Sequence, residues 1–103
     1  METQASIVAW ADETFGPVSS NMRVATRANE EMAELLRALA VDDNHPKASE
    51  EIADIVIVLC RLCSRLGFEL LDAVDHKMVI NRARVWKLDG SGHGYHVRDK
   101  ATA

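Results

Sequence analysis

Between Ile52 and Leu66 the chain is apolar almost all the way round a helix. Ile52, Ala53, Ile55, Val56, Ile57, Val58, Leu59, Cys60, Leu62, Cys63 and Leu66 leave the polar residues confined to one narrow strip. A helix of this kind needs burial over most of its circumference. A chain of 103 residues, 48% of them hydrophobic, has one core and too little protein to wrap such a helix alone. The pattern therefore predicts a second subunit over the remaining face, and a dimer or higher oligomer. Two domains with separate cores are excluded by the same length.

The rest of the chain divides at its five glycines and two prolines, too few for a sheet-rich fold. Phe15-Gly16-Pro17 closes a first helix of about Ala5 to Thr14, because glycine supplies a left-handed cap and proline cannot continue a helix. Ser19, Ser20 and Asn21 are N-cap residues for a second helix running to about Ala40. Ala25, Ala28, Met32, Leu35, Leu36 and Leu39 recur on it at helical spacing and predict one core-facing stripe. The short polar link Val41 to Pro46 makes helices two and three antiparallel neighbours, with helix three starting near Pro46 or Ser49 and ending before Gly67. A fourth helix, about Glu69 to Val85, carries Leu71, Val74, Met78 and Val85 in a series whose intervening place is taken by polar Asn81. The sequence predicts an all-α chain of four helices over 1–86. Residues 87–103, with Asp89-Gly90-Ser91-Gly92-His93-Gly94, read as an irregular C-terminal tail.

Sixteen acidic residues against twelve basic ones give a formal charge of −4, which argues against binding nucleic acid through its phosphates. No apolar run reaches the roughly 20 residues that span a bilayer, and METQASIVAWADE has neither the basic start nor the apolar stretch of a signal peptide. A cytoplasmic protein with no membrane partner is expected.

The acids are not scattered. Helix two contains Glu30-Glu31-Met32-Ala33-Glu34, and helix three contains Glu50-Glu51-Ile52-Ala53-Asp54. Residues three apart share a helix face, so Glu31 with Glu34, and Glu51 with Asp54, form pairs that point one way. Leu35 and Ile55 lie about 40° from Glu31 and Glu51 round their helices, so each first acid borders apolar surface. Closing the hairpin brings all four carboxylates to one seam. A solvated acidic face with helix-spaced ion pairs is the plain alternative: Arg27 is four before Glu31, Arg37 three after Glu34 and Lys47 four before Glu51. Asp54 has no such partner, and its neighbours at three and four are Glu50, Glu51, Ile57 and Val58, which predicts a carboxylate short of both water and cations. Crowded acids beside apolar surface are relieved by a bound cation, and all-oxygen ligands select Mg²⁺ or Mn²⁺ over zinc.

On helix four Lys77, Asn81 and Arg84 fall at i, i+4 and i+7, one face, with Trp86 just beyond. A point charge, a neutral donor and a bidentate fork in a row suit a polyphosphate chain. Cations answering the dipole at a helix C-terminus are the alternative, and they leave Asn81 unexplained.

Glu30-Glu31-x-x-Glu34 and Glu50-Glu51-x-x-Asp54 on successive helices, followed by Lys77-x-x-x-Asn81-x-x-Arg84, resemble the all-α nucleoside triphosphate pyrophosphohydrolases of the MazG-like superfamily, over about Ile7 to Trp86. Trp10 with Thr14-Phe15-Gly16, Glu51-Ile52-Ala53-Asp54, Lys77 to Asn81 with Arg84-x-Trp86, and His96-Val97-Arg98 are similar to small dATP/dGTP diphosphohydrolase-like members of phages and bacteria. The resemblance implies a four-helix bundle assembled as a homodimer or homotetramer. It implies hydrolysis of a (deoxy)nucleoside triphosphate to the monophosphate and pyrophosphate, in nucleotide-pool sanitation. By position, Glu31, Glu34, Glu51 and Asp54 would hold Mg²⁺. Glu31 or Glu34 would take the proton of the attacking water, and Lys77, Asn81 and Arg84 would bind substrate.

Phosphoribosyl-ATP pyrophosphohydrolase, with a related fold and similar acids, is a second enzymatic reading, and a non-catalytic helical dimerisation module is a third. Cys60-Arg61-Leu62-Cys63 has C-x-x-C spacing but lies inside an apolar helix without a second pair, so core packing is expected of it. His45, His76, His93 and His96 suggest no ligand cluster. Trp10 and Trp86 are read as packing residues, with stacking on a nucleobase open to Trp86 because it follows the basic stripe.

Overall fold

A computed structural model describes residues 1–42 and 45–97. Helices α1 (Gln4–Phe15), α2 (Asn21–Asp42), α3 (His45–Leu66) and α4 (Leu70–Ala83) are followed by strands β1 (Trp86–Leu88) and β2 (Gly94–His96). The chain packs as two compact units, one reaching to Leu70 and the other starting at Leu71.

In the first unit each helix end has a local chemical cause. Thr3 caps α1 in a capping box: its hydroxyl accepts from the Ser6 amide at 3.1 Å while its own amide donates to Ser6 Oγ at 2.8 Å. Gly16, at φ 76°, turns the chain out of α1 as its amide donates to the Asp12 carbonyl. Ser20 is the acceptor that starts α2, taking the Arg23 amide at 3.1 Å. At the end of α3, Gly67 at φ 90° donates to Ser64 O and Phe68 to Cys63 O, the paired bonds of a Schellman cap. Arg65 near the end of α3 donates to Asn21 Oδ1 at the start of α2 over 2.7 Å, so the two 22-residue helices run antiparallel. Helix α1 lies on α3, tied near its start by Gln4, which donates to Ser64 Oγ and the Phe68 carbonyl and accepts from the Leu70 amide.

Burial corrects one expectation. Among the described residues the buried apolar set is small: Ala11, Val24, Ala48, Cys60 and Cys63. The stripe expected to be core on α2 is open instead at Met32, Leu36 (60% exposed) and Leu39; on α3 Ile52 and Val56 are open, on the helix for which this chain was expected to have too little cover. Helical spacing identifies which residues share a face but not what covers it. The cysteines do pack in the core, and burial pushes both thiols up, away from the reactive thiolate.

The second unit contains a short ribbon where an irregular tail was expected. Strands β1 and β2 pair antiparallel with Trp86 opposite His96 and Leu88 opposite Gly94, and Val97 extends the ladder to the Val85 carbonyl. Asp89 organises the connection: its carboxylate accepts from the Ser91 amide, the Ser91 hydroxyl and the His93 amide, a local geometry that does not depend on hydrophobic periodicity. The apolar residues Leu71, Val74 and Met78 of α4 are largely exposed, and so is Val85, which was expected to continue the helix but lies beyond its end. The chain is thus mostly helical, with four helices and this one addition among the described residues. Arg98 falls outside them. No described helix is long and apolar enough to cross a membrane.

Candidate metal centre

Pairing α2 with α3 brings one carboxylate oxygen each from Glu31, Glu51 and Asp54 within 4.8 Å of one another. Hard cations hold oxygen ligands at about 2.0–2.6 Å, so two ligands of one ion lie no more than roughly 5 Å apart. The three acids meet that condition.

Glu51 is the most deeply buried, 2% exposed. Its Oε1 faces the Lys47 ammonium at 3.0 Å, one helical turn back, whereas its Oε2 is buried with no hydrogen-bond partner. A buried acceptor without a donor is costly, and here the groups around it are further carboxylates. Lys47 holds the Glu51 carboxyl below its ordinary value against the opposing effect of burial. A cation is the chemical complement of such an oxygen, and the donor set fits a hard divalent ion.

Glu31, 6% exposed, shows the converse balance. Burial pushes its carboxyl up, Arg27 opposes this from 2.8 Å, and the charges of Glu34, Asp54 and Glu51 add to the rise. Arg27 also grips Glu30 at 2.7 Å, so its charge is divided between two acids. Asp54, expected to be short of water, is exposed, and the electrostatic burden falls on Glu31 and Glu51. A helical wheel counts neighbours on one helix only, whereas burial here is set by α2 against α3. Glu34, expected at the same seam, is exposed too and is not among the three acids whose oxygens lie within 4.8 Å of one another.

The second unit carries the basic stripe. Lys77 is exposed on α4, whereas Arg84, expected on the same helix face, lies beyond the helix end at Ala83 and is half-buried. The Asn81 carbonyl accepts from the Trp86 indole at 2.9 Å and from the Arg84 amide at 3.3 Å, while its side-chain Oδ1 is buried without a partner. Trp86 is 42% exposed and packs at an angle against His96.

Within the first unit a cavity of about 710 Å³ opens beside the acids, with Glu31 and Asp54 on its wall together with Trp10, Phe15, Arg27 and Arg61. Sequence reasoning left Trp10 to packing and passed over Arg61. The available signal was an arginine inside the otherwise apolar run of α3, which needs hydrogen-bond acceptors to be there.

A sequence model of the MazG-like family matches residues 28–94. Over 98 residues the chain is 34% identical to a dATP/dGTP diphosphohydrolase of Salmonella phage PMBT28, 95% of this chain but only 31% of that longer protein. It is 30% identical over 96 residues to a dATP/dGTP diphosphohydrolase of Cyanophage S-2L, of which it covers 86%. A solved structure of the Cyanophage S-2L MazG-like pyrophosphohydrolase, bound to dGDP and three catalytic Mn²⁺ ions per active site, superposes with a TM-score of 0.76 at 31% identity, covering 93% of this chain and 90% of that one. With acids on paired helices, and with likeness in sequence and fold over nearly its whole length, the chain belongs to the MazG-like family.

Proposed function

We propose that this protein is a Mg²⁺- or Mn²⁺-dependent nucleotide pyrophosphohydrolase. It cleaves a purine deoxynucleoside triphosphate between the α- and β-phosphates, releasing the monophosphate and pyrophosphate, and serves nucleotide-pool sanitation in the cytoplasm. The observation that carries this reading is the buried Glu51 oxygen with no hydrogen-bond partner, on an acid that clusters with Glu31 and Asp54 within 4.8 Å in the seam between α2 and α3. The purine preference and the Mn²⁺ alternative follow the names of the relatives and the ligands of the cyanophage structure.

In this reading Glu31, Glu34, Glu51 and Asp54 hold the cation. When bound, it neutralises phosphate oxygens and orders a water for in-line attack. Lys47 holds one Glu51 oxygen and leaves the other for the ion. Arg27 fixes the Glu31 carboxylate, one of two acids, with Glu34, suited to accept the water's proton. Lys77 and Arg84 bind phosphates and Asn81 contacts substrate, with residues 1–86 as the catalytic domain. A second copy covers the open faces of α2 and α3, giving a homodimer or homotetramer. Its support is the pair of exposed apolar rows Met32, Leu36, Leu39 and Ile52, Val56 at helical spacing.

The decisive experiment incubates the protein with deoxynucleotides, ribonucleotides and phosphoribosyl-ATP in Mg²⁺ or Mn²⁺ and resolves the products. Metal-dependent monophosphate and pyrophosphate from dATP or dGTP are expected. Turnover of phosphoribosyl-ATP alone would favour the second enzymatic reading, and no turnover of any triphosphate would leave a dimerisation module. Light scattering should give twice or four times the chain mass, falling to the monomer in L36E/V56E.

A further inference from the structure

The Arg61 side chain is only 13% exposed, although it sits on the apolar helix α3. A guanidinium is costly to bury unless its donors are used. Three of its N–H groups are spent on α1 and the turn that follows it. Nε and Nη2 donate to Asp12 Oδ1 at 3.3 and 3.0 Å, and Nη2 donates to the Gly16 carbonyl at 2.6 Å. Gln4 holds the start of α1, so these bonds fix its other end.

That end carries the Trp10 and Phe15 rings, packed edge to face with centroids 5.4 Å apart and interplanar angle 85°. Both rings stay open, Trp10 at 53% and Phe15 at 66% exposure, and both line the 710 Å³ cavity whose wall includes Glu31 and Asp54. A cavity of several hundred Å³ admits a nucleotide. Open aromatic faces stack on any heterocyclic base, and the acids on the same wall give the phosphate end of the ligand a cation to reach.

We propose that Arg61 is a positioning residue for nucleobase binding: through Asp12 and the Gly16 carbonyl it holds the Trp10–Phe15 wall on which the base of the nucleotide stacks. The inference rests on the nucleotide reading above for its ligand, but not on hydrolysis. Arg61 does not touch the reacting phosphates. Its loss lets the end of α1 shift, which weakens base binding and leaves the acid seam intact.

The test uses the whole protein and reads tryptophan fluorescence, oligomer mass and steady-state kinetics. Non-hydrolysable dGTP should quench the emission of the wild type but not of W10F, whereas inorganic tripolyphosphate, which has no base, should quench neither. W10A should raise the KM for dGTP roughly ten-fold with kcat within about two-fold, since base stacking is sequence-tolerant binding energy. D12A, at a 63% exposed position, should reproduce the KM rise of R61K, and D12N, which keeps the accepting oxygen, should restore a KM near that of the wild type. Unchanged KM in both W10A and D12A would overturn the proposal, and so would a fall in oligomer mass in W10A, which would give the wall to a second copy. Quenching by the dGTP analogue without turnover of any triphosphate would uphold the wall and defeat the hydrolase reading.

Discussion

The acidic seam and the basic stripe were both read from three- and four-residue spacing, yet the two parts of the chain hold them differently. On α2 and α3 the acids belong to two 22-residue helices lying antiparallel, so spacing along each helix becomes distance across the pair, and Glu31 and Glu51 end up buried with shifted carboxyls. Lys77 on the 14-residue α4 remains exposed beside an open apolar series, and the order after it comes from local bonds at Asn81 and Asp89. A long helix pair fixes chemistry at a distance, whereas a short helix and a ribbon fix only their own surroundings.

The strongest way to break this contrast is to neutralise the most buried acid. Glu51→Gln keeps the shape of the side chain and removes the charge, so metal-dependent pyrophosphate release should fall by more than about 100-fold while helicity is kept. Mn²⁺ should raise the melting temperature of the wild type and not that of the variant, because only a ligand bound to the folded state stabilises it. Full activity in E51Q would reduce the seam to a structural feature. The counterpart in the second unit is milder: K77A and R84A should each raise the KM for triphosphate roughly ten-fold, the weight of one charge-assisted contact, with the melting temperature within about two degrees of the wild type. A collapse of folding in either would show that the stripe is structural.

Legibility follows the same line. The four helices and their approximate ends could be read because Gly16, Ser20 and Gly67 act on their own backbone neighbourhood, and the pairing of Glu31 with Glu51 and Asp54 because a short link forces a hairpin. The exposure of Leu36 and of Asp54 could not, since each depends on what lies across from the helix rather than along it. The ribbon escaped because three-residue strands are too short for a period, and the Asp89 turn that closes them was visible only as a glycine-rich stretch.

Two acids in the seam should respond to pH with opposite sign in metal-free protein. The Glu31 carboxyl is raised, first by burial, so its contribution is fully present below the unfolded glutamate value and is lost as pH rises through the raised folded value. Glu51 is lowered, first by Lys47, so its contribution is present above the unfolded value and is lost as pH falls through the lowered one. In EDTA, E31Q should therefore gain on the wild type in thermal melts between acidic and neutral pH, and E51Q should lose ground over the acidic range, each by a few degrees, about what 1 kcal/mol gives in a chain this size. Parallel curves would mean that the seam does not divide its charge as the structure implies.

The smallest effect belongs to the ribbon. A Cβ on Gly94 would lie 2.6 Å from the Lys87 carbonyl oxygen and 3.3 Å from its carbon, both backbone atoms that can move only if β1 and β2 separate. Overpacking of this kind costs about 1–3 kcal/mol. In G94A the amides of Asp89 and Val97, which bond across the ribbon to His93 and Val85, should exchange with deuterium roughly ten- to a hundred-fold faster, in line with that cost. The amides of α2 and α3 should not change, because the bonds that hold them involve none of these residues. If exchange in the helix pair also accelerates, local bonding in the second unit supports the first, and the contrast between a self-sufficient seam and a locally held stripe fails.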